Sequence, residues 1–245
     1  MTAPRGNGKA ALTQRDAAVL AWLGEVKVAA TDSMRQAYAF FGTGEQMPKQ
    51  NLSRRLTTLT NSGYLGAETL QRGNNRRVYW PAGQQYPIAR RILAHDLTVA
   101  HLSINLLSAG NAAILTHNRH LPAEIANERR IWTQDATVSA KTHQADGLLW
   151  QPNNAAVIVE VELSPKTPAR MDSILRSHAE RIESASDPVT HVLYLTTRTV
   201  GQLIARVWHK NGHAADHPDR MQIIHAVDDT TLGIMPRFAP IAIPA

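Results

Sequence analysis

Several features that would define a protein class are missing from this chain of 245 residues. It has no cysteine, which excludes a disulfide scaffold, a zinc finger, an iron–sulfur site and a thiol nucleophile. No apolar run reaches the about 18 residues of a membrane span, and the N-terminus lacks the apolar stretch of a signal peptide. There is no glycine-rich phosphate loop. These absences favour a cytoplasmic protein without a membrane partner.

Acidic residues are scarce in the first third of the chain. Residues 1–90 carry 12 lysines and arginines against 5 aspartates and glutamates, a net charge of +7. Residues 91–245 carry 14 lysines and arginines against 15 aspartates and glutamates, a net charge of −1. This imbalance is typical of a nucleic-acid-binding module joined to a neutral domain, although an ordinary solvated basic surface gives the same numbers.

The first third of the chain predicts three helices followed by a hairpin. Residues 1–11 are predicted to form a flexible tail, and Thr13 and Asp16 then match a helix-capping pattern. The third helix is predicted at 48–61, where leucines recur at helical spacing. Two short extended runs around a Gly-Asn-Asn turn predict the hairpin. This order indicates a winged helix-turn-helix over residues 12–82, whose third helix enters the major groove of DNA.

The polar face of the third predicted helix is basic and rich in hydroxyl and amide groups. Its candidate DNA-binding residues are Lys49, Gln50, Asn51, Ser53, Arg54, Arg55, Thr57 and Thr58. Three more candidates crowd the tip of the hairpin, namely Arg72, Arg76 and Arg77. Arginine can pair bidentately with guanine and an amide side chain with adenine, whereas arginines on a wing reach phosphates. The predicted partner is therefore double-stranded DNA.

The rest of the chain, residues 88–245, predicts an α/β domain with a mixed sheet. Its predicted elements are a helix at 88–109, strands at 131–139, 145–150 and 156–163, a helix at 168–185, a strand at 189–196, a helix at 200–211 and a strand at 221–227. The first of these helices, at 88–109, carries more apolar residues than a single buried helix face would contain. We therefore expect it to pack against a second subunit, giving a homodimer, or against the C-terminal domain.

Three carboxylates fall on the predicted strands of this domain. Asp146 lies in the second strand, and Glu160 and Glu162 stand two residues apart in the third, so that both point to the same face. Carboxylates on adjacent strands can hold Mg²⁺ or Mn²⁺ through oxygen ligands. The plainer alternative is that the glutamates line the solvent face of an edge strand. The predicted metal ligands are Asp146, Glu160 and Glu162.

This order of helices, strands and acids resembles the αβββαβ core of the PD-(D/E)XK nuclease superfamily. The resemblance implies that Asp146 and Glu160 match the two acids of the family, while Glu162 stands where the family has its lysine. Lys166, four residues later, is the candidate for the missing ammonium. The implied catalytic residues are Asp146, Glu160, Glu162 and Lys166, and a structural domain that has lost activity is the open alternative.

The chain as a whole is similar to the replication–relaxation family over residues 13–197. The resemblance rests on the predicted winged helix, residues 90–96, the motif Ala145-Asp146-Gly147, residues 159–164, Lys166 and Arg170. Because that family serves plasmids, integrative elements and phages, the resemblance implies a sequence-specific DNA-binding protein that regulates transcription, replication or transfer. The alternative is a metal-dependent DNA endonuclease or nickase.

Overall fold

The computed structural model describes residues 10–70, 76–84, 90–108, 131–136, 143–151 and 153–243. The chain divides into two units, Met1–Asn105 and Leu106–Ala245. Helices and β-sheets occur together in each, so the chain is a mixed α/β protein, as the sequence predicts. Within the described residues, none of the helices combines the length and apolar character that crossing a bilayer requires.

The described part of the N-terminal unit contains helices around a small antiparallel sheet. Its elements are α1 (Gln14–Val26), β1 (Ala29–Ala30), α2 (Thr31–Phe40), α3 (Lys49–Asn61), β2 (Leu65–Leu70), β3 (Arg76–Pro81) and α4 (Arg90–Ser108), the last of which runs past the boundary between the units. The strands lie in the order β1-β3-β2. The three predicted helices and the hairpin are present, whereas the two-residue strand β1 is too short for a sequence pattern to predict.

Helix α1 begins with the capping box that its sequence predicts. The hydroxyl of Thr13 accepts a hydrogen bond from the backbone N–H of Asp16 at 3.1 Å. In return, the Asp16 carboxylate accepts one from the Thr13 N–H at 2.8 Å. Two N–H groups near the helix start are thus satisfied, which fixes where α1 starts.

Residues of helix α4 pack against other elements of the N-terminal unit. The side chains buried at this contact are Leu93, Leu97, Val28, Ala30 and Val78. Farther along α4, Ser103 Oγ accepts a hydrogen bond from Trp22 Nε1 at 3.1 Å. The sequence predicts contact with a second subunit or with the C-terminal domain, which it starts at residue 88, and the homodimer stays a prediction. An apolar helix face in a sequence indicates that the face is buried, but it does not identify the element that packs against it.

The described part of the C-terminal unit is built on a six-stranded mixed sheet. Its elements are β4 (Ile131–Thr133), β5 (Gly147–Trp150), β6 (Ala156–Glu162), α5 (Pro168–Glu183), β7 (Val189–Thr196), α6 (Arg198–Lys210), α7 (His213–Asp216), β8 (Met221–Val227) and β9 (Ile234–Pro240). The strand order follows the chain. Strands β6, β7 and β8 are mutually parallel, and the other neighbouring pairs are antiparallel. The sheet is therefore mixed, as predicted.

Candidate functional site

Glu160 sits on the most deeply buried strand of the sheet. All seven residues of β6 are buried, and Glu160 itself is only 7% exposed. Ala156 and Ile158 belong to the same core cluster as Met171 and Leu175 of α5. Because alternate residues of a strand share a face, Glu160 continues this apolar face. A carboxylate in such a place requires polar partners.

Two histidines lie next to this carboxylate. Glu160 Oε1 lies 3.0 Å from Nε2 of His143 and 3.1 Å from Nε2 of His178. The three side-chain atoms all lie within 4.8 Å of one another, and the imidazole rings are tilted by 59°. Among the described residues, this His143–Glu160–His178 cluster is the only group of three or more histidine or acidic side chains positioned to share a metal ion.

The charge state of Glu160 follows from this setting. Burial acts to raise the pKa of the carboxyl group, but the adjacent rings of His143 and His178 outweigh burial and lower the pKa from 4.5 to about 2. Glu160 is therefore a carboxylate at neutral pH, which is the form that coordinates a metal ion.

Asp146 lies near this cluster without belonging to it. Its Oδ2 atom accepts a hydrogen bond from the backbone N–H of Val161 at 2.7 Å, which fixes the carboxylate against β6. Tyr194 stands beside Glu160 in the parallel register of β6 and β7. Burial raises the pKa of the Tyr194 hydroxyl, and the charges of Glu160 and Asp146 raise it further. Asp146 thus contributes to the electric field of the site.

Glu162 and Lys166 form a separate pair. The Lys166 ammonium makes an ion pair with the Glu162 carboxylate across four residues. Burial lowers the pKa of Lys166, while the charges of Glu160 and Asp146 oppose that change. The structure therefore does not gather the three predicted carboxylates into one metal-binding group. It places Glu160 with two histidines, Glu162 with Lys166, and Asp146 against the backbone of β6.

The sequence interpretation missed both histidines of the cluster. His178 shares a helix face with Met171, Ile174 and Leu175, all of which are buried. A histidine among such residues has the pattern of a core residue. His143 precedes β5 outside any regular element. The one available signal was a histidine on the buried face of the helix that directly follows the acid-bearing strand.

A buried ion-pair network positions the segment that carries His143. Asp135 Oδ2 accepts hydrogen bonds from Arg181 Nη1 at 2.7 Å and from the Ala145 N–H at 2.9 Å. Next to it, Ser177 Oγ accepts a hydrogen bond from the His143 N–H at 3.0 Å. Because α5 supplies both Arg181 and Ser177, the same helix that carries His178 also holds His143 in place.

A second candidate site is the outer face of α3. Its buried residues are Leu52, Leu56 and Leu59. Seven of the eight predicted DNA-binding residues on this helix are exposed, namely Lys49, Gln50, Asn51, Ser53, Arg54, Thr57 and Thr58. None of the thirteen residues of α3 is acidic. These seven side chains are therefore accessible to an anionic partner.

Arg55, the eighth predicted DNA-binding residue of α3, makes its contacts inside the N-terminal unit. Its guanidinium makes an ion pair with Asp16 and donates a hydrogen bond to the Ala11 carbonyl at 2.9 Å. Asp16, only 1% exposed, also accepts a hydrogen bond from the Tyr38 hydroxyl at 2.7 Å. Burial acts to raise the pKa of Asp16, but the hydrogen bonds from Arg55, Thr13 and Tyr38 hold it well below its ordinary value. Arg55 therefore ties α3 to α1.

Two of the three predicted wing arginines lie in the part of the chain that the structure describes. Arg77 is exposed on β3, and its guanidinium stands 5.6 Å from the centroid of the Tyr79 ring. Arg76 opens the same strand, opposite Leu70. Arg72 lies outside the described residues. The hairpin thus presents at least one accessible cation.

Comparisons of this chain with known protein families, with curated proteins and with solved structures gave no match. The resemblances to the PD-(D/E)XK superfamily and to the replication–relaxation family therefore stay predictions. Any functional conclusion rests on the chemistry of the two sites described above.

Proposed function

We propose that this protein binds double-stranded DNA through the exposed face of α3. The observation that carries the proposal is a helix whose exposed residues are basic, amide or hydroxyl and never acidic. At 1.5 Å per residue, its 13 residues span about 20 Å, which suits the length of groove that a recognition helix occupies. The net charge of +7 on residues 1–90 adds long-range attraction to phosphates.

The arrangement around α3 supports a winged helix-turn-helix. Helices α1, α2 and α3 precede the antiparallel hairpin β2–β3, the element order of that module. In this arrangement α3 reads base edges, while Arg77 on the hairpin contacts phosphates. A homodimer would present two α3 helices to two half-sites, and the biological role would be regulation of transcription, replication or transfer of a mobile element.

Removing the Arg54 side chain is expected to reduce sequence preference more than overall affinity. An exposed arginine that pairs bidentately with guanine contributes about 1–3 kcal/mol of discrimination at one base pair. Arg54→Ala should therefore lower the ratio of specific to non-specific binding about 5- to 150-fold. The measurement is fluorescence anisotropy of the full chain on a selected duplex and on a scrambled one.

Arg77→Ala serves as the comparison, because loss of a phosphate contact weakens binding to both duplexes alike and reduces the salt dependence by about one counterion. If Arg54→Ala lowers affinity for both duplexes equally and leaves their ratio unchanged, α3 does not read bases in this way.

A second candidate function is metal-dependent cleavage of DNA by the C-terminal unit. The specific observation in its favour is the buried carboxyl group of Glu160, with Lys166 close enough for the charges of Glu160 and Asp146 to act on it. A metal ion at Glu160 could activate water, and an ammonium nearby could stabilise the charge that develops on a scissile phosphate.

Supercoiled plasmid provides the test of this second function. We expect Mn²⁺ or Zn²⁺, which accept imidazole and carboxylate ligands, to support nicking by the full chain. Chelator or Glu160→Gln should abolish it, because the substitution removes the carboxylate charge. A gel shift of the same samples should be unchanged, since α3 is intact. Plasmid that stays supercoiled with both metals would remove the nuclease function and leave the DNA-binding proposal standing.

A further inference from the structure

We propose that His143, Glu160 and His178 bind one divalent transition-metal ion, Zn²⁺ in preference to Mg²⁺. The donor set is two imidazole nitrogens and one carboxylate oxygen. Imidazole ligands suit zinc and its neighbours in the first transition series, whereas Mg²⁺ binds almost entirely through oxygen. The predicted all-carboxylate site would have selected Mg²⁺ or Mn²⁺, so the histidines change the class of metal expected.

The distances within the cluster fit a metal site. In tetrahedral zinc coordination with bonds of 2.0–2.1 Å, two ligand atoms are separated by about 3.3 Å. The two nitrogens lie 3.0 and 3.1 Å from Glu160 Oε1, within a few tenths of an ångström of that separation. All three donor atoms lie within 4.8 Å of one another, so the fold already gathers them around one point.

Unsatisfied polar atoms supply an independent reason for a metal. Despite the short distances, neither nitrogen has hydrogen-bond geometry to Glu160. Within the part of the chain that is described, Glu160 Oε1 and both ring nitrogens of the fully buried His178 lack a hydrogen-bond partner. Buried polar atoms without partners are costly. A cation between the three groups would satisfy Nε2 and the carboxylate oxygen together.

The setting of the cluster matches a site that can exchange its metal and hold a fourth ligand. The His143 side chain is 21% exposed, whereas His178 is fully buried, so access is from the His143 side. His143 lies before β5, Glu160 on β6 and His178 on α5, and Asp135 holds the backbone two residues after His143 through the Ala145 N–H. Three protein ligands leave the fourth tetrahedral position to water or substrate.

Metal binding to chelator-stripped full-length protein tests this proposal directly, and it does not depend on DNA binding or cleavage. Isothermal titration with ZnCl₂ should give one ion per chain, and MgCl₂ should bind at least a hundredfold more weakly. Titration with CoCl₂ should produce the visible absorption of tetrahedral Co²⁺. Loss of a hydrogen-bond partner outside the ligand set typically weakens metal binding by about 10- to 100-fold. Glu160→Gln and His143→Ala each remove a direct ligand, so each should weaken zinc binding by more than that.

The matched control is His209→Ala, which removes an exposed histidine on α6 and should leave zinc binding unchanged. Circular dichroism of each variant confirms that it is folded. Glu160→Gln keeps the size of the side chain, so it reports on the ligand even if another variant fails to fold. The proposal is overturned if the wild-type chain binds no zinc, if it prefers Mg²⁺, or if folded Glu160→Gln binds zinc as the wild type does.

Discussion

Replacing Arg181 with alanine is expected to lower the free energy of unfolding of the C-terminal unit by about 3–5 kcal/mol, because it leaves a buried charge without its partner. The guanidinium, 7% exposed, bridges Asp135 and Asp187 at 2.7 and 2.8 Å. Asp135 is fully buried and also accepts a hydrogen bond from the Ala145 N–H. Denaturant unfolding followed by circular dichroism measures the loss.

Arg176→Ala is the matched control for this effect. Arg176 lies on the same helix and pairs with Asp172 at 2.7 Å, but its side chain is 62% exposed. A surface pair of this kind contributes about 0–1 kcal/mol. Equal losses from the two variants would show that burial of the Arg181 network does not govern the stability of this unit.

Arg55→Ala is expected to destabilise the N-terminal unit by about 3 kcal/mol, because Asp16 would remain buried without its cation. The carboxylate would keep its hydrogen bonds from Thr13 and from the Tyr38 hydroxyl, so the loss falls at the lower end of the range for broken buried pairs. The free energy of unfolding of the full chain, measured in urea, reports the change.

Arg54→Ala is the control from the neighbouring position. Arg54 is exposed, so its removal should change stability by no more than about 0.5 kcal/mol. The two substitutions should therefore have different effects: Arg55→Ala lowers the stability of the fold, whereas Arg54→Ala changes DNA binding. A stable, fully folded Arg55→Ala variant with reduced affinity for DNA would instead place Arg55 in the DNA-binding face.

The helices and inner strands are largely predictable from the sequence, because their residues report local periodicity. Strands β7 and β8 occupy the predicted residues, and α3 starts one residue after its prediction. Strand β9 escapes prediction because its sequence contains two prolines, which an edge strand tolerates but a central strand does not. Its position at the edge depends on the tertiary fold.

The candidate sites are less predictable, because they depend on contacts between residues that are distant in sequence. The alternation of β6 correctly places Glu160 and Glu162 on one face, but nothing local assigns histidines to one and Lys166 to the other. The helical spacing of α3 places Arg54 opposite the leucines and Arg55 closer to them, but it names no partner for Arg55. Only the fold brings Asp16, 39 residues away, beside Arg55.

Charge reversal on α3 tests the proposed DNA-binding surface most directly. Arg54→Glu and Arg206→Glu make the same change in net charge, one on the exposed face of α3 and the other on the exposed side of α6. The measurement is the affinity of the full-length chain for a labelled duplex at low salt. We expect Arg54→Glu to weaken binding at least tenfold and Arg206→Glu to leave it within about twofold. Equal affinities for the two variants, or no binding by the wild-type chain, would contradict DNA binding through α3.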